Sequence, residues 1–118
     1  MDKILLTVNN TTFSASLLDN ALADKFMEQL PLTMDMSELN ASEKFYSFSE
    51  SFPVQGERVG KIEKGDLMFF GSDTFVLFYK SFSTPYSYTR LGTLDQPENL
   101  QKAVGRKGVT VRIEEAKS

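Results

Sequence analysis

Residues 60–92 read GKIEKGDLMFFGSDTFVLFYKSFSTPYSYTRLG. Two aromatic-rich apolar runs, 66–70 and 74–80, lie on either side of Gly71, Ser72 and Asp73. Short β-branched and aromatic runs separated by a Gly-containing turn are the signature of a β-hairpin. A third run, 86–94, follows Pro85, whose missing backbone donor does least harm just before a strand. Strands this close in sequence pair antiparallel, so the segment commits the chain to a mainly β fold.

The flanking sequence extends the pattern. Lys3 to Val8 reads as a strand, and Asn9-Asn10 supplies the left-handed residues that a two-residue hairpin turn demands. In the returning strand Phe13, Ala15 and Leu17 alternate with Thr12, Ser14 and Ser16, a period of two. Leu18, Leu22 and Phe26, with Met27 and Leu30, form the apolar stripe of an amphipathic helix capped by Ser16 or Asp19 and ending near Pro31. Leu32, Met34 and Met36 alternate with polar residues as a further half-buried strand. Residues 40–53 lack a clear period and are expected to be a long, partly ordered connection, leading into the polar stretch 55–60. Pro97 to Val104 fits a short helix ended by Gly105 and Gly108, and Val109, Val111 and Ile113 alternate in a closing strand.

A chain of 118 residues has the length of one domain with one core, and no repeat or linker divides it, so residues 1–118 are expected to form a single domain. Many short strands and two helices around one core predict a small closed antiparallel β-barrel with its ends plugged by helices. Closure also removes exposed strand edges.

The sequence holds no cysteine and no histidine. Disulfides, thiolate nucleophiles and cysteine zinc sites are excluded. Imidazole-dependent serine triads and the usual imidazole-ligated metal sites are excluded with them. No EF-hand spacing and no phosphate-cradling glycine loop occurs, so neither a metal nor a cofactor is expected. Acidic residues dominate the first half and basic ones the second, with Arg106, Lys107 and Arg112 close together. In a barrel the two halves interleave, so these charges read as solvated surface and nucleic acid is not an expected partner. No apolar run approaches the roughly 18 residues that span a bilayer. The start, MDKILLTV, runs straight into a strand-like segment with no long apolar region and no small-residue cleavage site, so the expectation is a cytoplasmic protein without a membrane partner.

The segments NASEKFYSF, GKIEKGDLMFF, TFVLFYKSF, YSYTRLGTL and GRKGVTVRIEE, in this order, resemble those of the bacterial cyclophilin-like fold proteins over nearly the whole chain. The resemblance implies a closed barrel related in shape to the cyclophilin prolyl isomerases. It does not carry their activity across. The isomerases' Phe-Met-Gln-Gly-Gly segment is absent, as are His and Trp, and Gly65-Asp66 is the nearest match.

Candidate binding groups are Tyr88 and Arg90 on one face of their strand, Tyr79 at the end of its neighbour, and Tyr46 in the EKFY segment. A phenol beside a guanidinium can hold a carboxylate, phosphate or carbonyl, and the four are expected to meet on one pocket rim. Glu43 and Lys44, adjacent opposite charges, are expected to be solvated, and Asp66 to be a turn residue accepting backbone hydrogen bonds. The leading expectation is a non-catalytic binding module for a peptide segment or small molecule. The alternatives are a divergent prolyl isomerase using Arg90 or Arg58 as donor, since that reaction needs only a donor and an apolar wall, and a protein-interaction subunit without a pocket. The oligomeric state is not legible.

Overall fold

The computed structural model describes residues 2–117. Eleven strands and two helices follow in the order β1 (Lys3–Val8), β2 (Thr11–Leu17), α1 (Ala21–Glu28), β3 (Leu32–Leu39), β4 (Glu43–Ser47), β5 (Glu57–Arg58), β6 (Lys61–Ile62), β7 (Asp66–Phe70), β8 (Thr74–Phe78), β9 (Phe82–Ser83), β10 (Ser87–Leu94), α2 (Leu100–Val104) and β11 (Val109–Glu115).

The strands β2-β1-β11-β3-β4-β8-β7-β10 form one antiparallel sheet, and β10 pairs back with β2 to close it into an eight-stranded barrel. The expected mainly β barrel with two helices is thus the observed fold. Alternation fills its interior. Ile4, Leu6 and Val8 from β1, Phe13, Ala15 and Leu17 from β2, and Val111 and Ile113 from β11 belong to one core cluster. The Asn9-Asn10 turn adopts the expected left-handed conformation, with φ of 45° and 69°.

The helices seal the barrel. Leu22, Ala23 and Phe26 of α1 enter the core beside β10 and the aromatic rings of Phe69 and Phe75. Leu100 and Val104 of α2 enter from the end where the Asn9 side chain donates to the Ala103 carbonyl at 3.0 Å. The cap of α1 is neither Ser16 nor Asp19 but Asn20, whose Oδ1 accepts from the Ala23 amide at 2.8 Å. The helix starts later than its apolar stripe suggests, leaving Leu18 exposed outside it, because β2 runs on to Leu17 and the chain must turn before it can coil.

The largest departure lies in residues 40–53, where β4 is a full barrel strand between β3 and β8. A tight turn with Asn40 and Ala41 both at φ 55° joins it to β3. Its period of two is present but disguised, because it places Lys44 on the inner side and Glu43 on the outer. Residues 48–53 are held as well: the Phe48 amide donates to Asp73 and that of Phe52 to Ser72, at 2.8 and 2.7 Å.

Gly92 sits at the closing seam. A Cβ there would collide with the Ser16 carbonyl oxygen and lie 3.0 Å from Leu17 Cα, so only glycine lets β10 approach β2. The register with β7 also shifts between Arg90 and Gly92, a bulge that lets one strand serve two partners.

Candidate functional site

The wall made by β4, β8, β7 and β10 is apolar on both sides. Phe69, Phe75 and Leu77 point into the barrel, whereas Met68, Val76, Phe78 and Tyr88 form a second cluster outside it with Ile62. Phe45, Val59 and Phe82 pack against that outer layer. The cover is a flap built from the β6–β9 pair, whose ladder continues one rung further where the Thr84 amide donates to the Gly60 carbonyl at 2.9 Å.

Where the flap stands off the wall it leaves a cleft of about 880 Å³. Phe45, Val76 and Tyr88 line the wall side, and Phe82, Pro85 and Tyr86 the flap side. Phe70 and Tyr86, half or more exposed, meet edge to face at 6.4 Å, and Phe70 lies 5.6 Å from Tyr88. The Asn40-Ala41-Ser42 turn and Glu43 also line the cleft.

Glu43 is the unusual group here. It is 7% exposed, and among the described residues its carboxylate accepts one hydrogen bond, from Ser42 Oγ at 2.8 Å. No described Lys or Arg forms an ion pair with it. Burial pushes its carboxyl above the ordinary range, and the nearby Glu38 charge adds to that against the Ser42 bond. The Tyr88 phenol is raised by burial and then by the Glu43 charge.

The next residue, Lys44, belongs to a different structure. Its fully buried ammonium donates to Glu38 Oε1 at 2.8 Å and to the carbonyls of Gly105 and Lys107 at 2.9 and 2.6 Å, and lies 5.1 Å from the Tyr79 ring centre. Tyr79 Oη donates to Glu38 Oε1 at 2.6 Å; burial first, and then this acceptor, push the phenol up to about 12. Burial raises Glu38, but the bonds from Lys44, Tyr79 and the Ala41 amide outweigh it and leave the carboxyl below its ordinary value. Glu43 and Lys44 are therefore buried rather than solvated, and are not partners. Each has the environment dictated by the side of the wall it faces.

The structure does not bring the four sequence-derived tyrosine and arginine candidates onto one rim. Tyr88 lines the outer cleft. Tyr79 is engaged with Glu38 at the α2 end of the barrel. Tyr46 faces the interior, edge to face with Phe48 at 5.0 Å. Arg90 shares the outer face with Tyr88 but borders a separate depression beside Leu18 and Asn20, its Nε 3.8 Å from Glu57 Oε1. Sequence reasoning set Glu43 aside as a solvated charge and did not single out Phe45 or residues 82–86 as cleft lining. The available signal was the alternation in EKFY, which puts Glu43 and Phe45 on one face and Lys44 and Tyr46 on the other. Asp66 is the expected turn residue, accepting from the Glu63 amide at 2.8 Å.

No helix among the described residues is long and apolar enough to cross a membrane. No curated protein matches the chain. Among solved structures it is similar to a hypothetical protein of Archaeoglobus fulgidus, known from its solution structure, with a TM-score of 0.64 and 13% identity over 98% of this chain and 95% of that one. At that identity the likeness concerns the fold alone. The sequence pattern of the cyclophilin-like family matches residues 6–114, which take in the helices, the cleft and all of the barrel except the first half of β1 and the last residue of β11, and on that match the chain belongs to the cyclophilin-like family.

Proposed function

We propose that the protein is a non-catalytic binding module that takes a small molecule or a short peptide segment into the outer cleft. The observation that carries this reading is the cleft itself: about 880 Å³, within the range of roughly 300–1,000 Å³ typical of ligand sites, with aromatic walls and one buried carboxylic residue, Glu43, in its lining. Apolar walls with few, fixed polar groups are how proteins bind small ligands with orientation. The prolyl isomerase alternative needs a hydrogen-bond donor at the prolyl nitrogen. Arg90 borders a different depression, and Arg58 is not among the residues lining the cleft.

The test is an amide NMR titration with fragment-sized aromatics and capped proline peptides, following cis/trans exchange of the peptides in the same samples. Shifts confined to residues 42–45, 76 and 82–88, with exchange rates unchanged, are the expected result. Accelerated exchange would overturn the non-catalytic reading, and shifts centred on Arg90 or Tyr79 would move the site elsewhere.

A further inference from the structure

Glu43 is a carboxylate placed where its own chain does not neutralise it. It is enclosed by the Ser42 turn, Phe45 and the aromatic outer wall, and the only hydrogen bond it receives from the described residues comes from a neutral hydroxyl. The groups around it do not supply a counter-charge. Glu38 on β3 is an anion already engaged by Lys44 and Tyr79. Lys44, its neighbour on β4, points through the wall. Tyr88 on β10 is a neutral phenol. Lys80, after β8, is the one cation lining the cleft; it is exposed and makes no ion pair with Glu43 among the described residues.

A buried, unpaired carboxylate is costly, and a partner charge brought by a ligand relieves that cost while making a charge-assisted hydrogen bond. The walls favour the same sign, because aromatic faces attract cations and the rim adds Phe70 and Tyr86. An anionic ligand would meet Glu43 head on.

We infer that the occupant of the cleft is a small organic amine, its protonated nitrogen held by Glu43 and its apolar or aromatic body laid against Phe45, Val76 and Tyr88. This rests on the cleft being the binding site.

Three probes of one shape separate the two claims: phenethylamine, 2-phenylethanol and 3-phenylpropionate, titrated by NMR at pH 7 into the wild type and Glu43→Gln. The inference expects phenethylamine to bind at least about tenfold more tightly than the alcohol in the wild type, the acid to bind weakest, and the amine preference to shrink to within about twofold in the variant. Equal binding of amine and alcohol at the cleft would overturn the charge inference and leave the cleft reading standing. Absence of shifts at the cleft with all three would overturn both. Tighter binding of a doubly capped Phe-Lys-Phe peptide than of phenethylamine would overturn the small-molecule assignment in favour of a peptide. Should Glu43→Gln not fold, the wild type carries the test through pH: amine affinity should fall as Glu43 is protonated, while that of the alcohol stays level, and parallel curves would overturn the inference.

Discussion

Glu43 and Lys44 are consecutive in β4, yet one delivers a carboxylate to the cleft outside the barrel and the other an ammonium to the barrel's end. The Lys44 ammonium serves three acceptors at once, Glu38 and the carbonyls of Gly105 and Lys107, and so ties β3, β4 and the chain after α2 together. Lys44→Met fills a similar volume but strands those acceptors. We expect a loss of about 3 kcal/mol in denaturant unfolding, partly recovered in the double variant with Glu38→Gln. A loss under about 0.5 kcal/mol would show that water replaces the ammonium freely.

Closure of the barrel rests on a close backbone approach. Gly92→Ala pushes a methyl group against the Ser16 carbonyl, and the seam must open or β10 must shift. The expected cost is about 1–3 kcal/mol, as for other overpacked sites. Gly56→Ala is the control: its added Cβ would lie 3.8 Å from Ser87 Cβ, an ordinary contact, and unfolding should be little changed. Similar midpoints for the two variants would contradict the role assigned to the seam.

Asp95 links β1 to β2 from outside the sheet, accepting from Lys3 Nζ at 2.8 Å and from the hydroxyls of Ser14 and Ser16 at 2.8 and 2.7 Å. The Lys3 and Ser16 bonds hold its carboxyl below the ordinary value of 3.8, against a smaller effect of burial. A carboxyl lowered by folding stabilises the native state above its unfolded pKa, and that contribution is lost as pH falls through the lower folded value. Asp95→Asn should therefore cost about 1 kcal/mol at neutral pH and progressively less below pH ~4. Unfolding curves at several pH values check the convergence; a gap that stays constant into strong acid would contradict it.

The Asn40-Ala41 turn holds an alanine in the left-handed region, where L-residues are disfavoured by about 1–2 kcal/mol. Replacing Ala41 by Gly removes that strain and raises the entropy of the unfolded chain, two opposing effects. The net expectation is a gain of roughly 0.5 kcal/mol, read as a raised melting temperature. A lowered one would mean that the unfolded-state effect dominates.

The hairpins were legible wherever alternation and turn chemistry agreed, as at Asn9-Asn10 and across Gly71, Ser72 and Asp73. Strand β4 was not, since Glu43 and Lys44 look like solvated surface until the wall between them is known. The two-residue strands β5, β6 and β9 are too short to carry a period: β5 pairs with β10 at the edge of the main sheet, and β6 pairs with β9 in the flap. The candidate site suffered most for the same reason. Tyr88 was recognisable as a strand aromatic, but Phe82, Pro85 and Tyr86 reach the cleft only because the chain folds back over the wall. Arg90 was drawn toward Tyr88 by strand periodicity, which fixes a face and not a position along it.

The flap encloses a layer far smaller than the core, with strands of two residues each. It forms a natural sub-unit of local opening. Lifting it exposes Ile62, Phe78 and Tyr88 while every barrel ladder stays intact, so its amides exchange with solvent on a cheaper route than those of β8 beneath it. A molecule seated in the cleft as proposed would bridge flap and wall, so its binding is expected to register first as exchange protection of the flap, ahead of any change in the barrel.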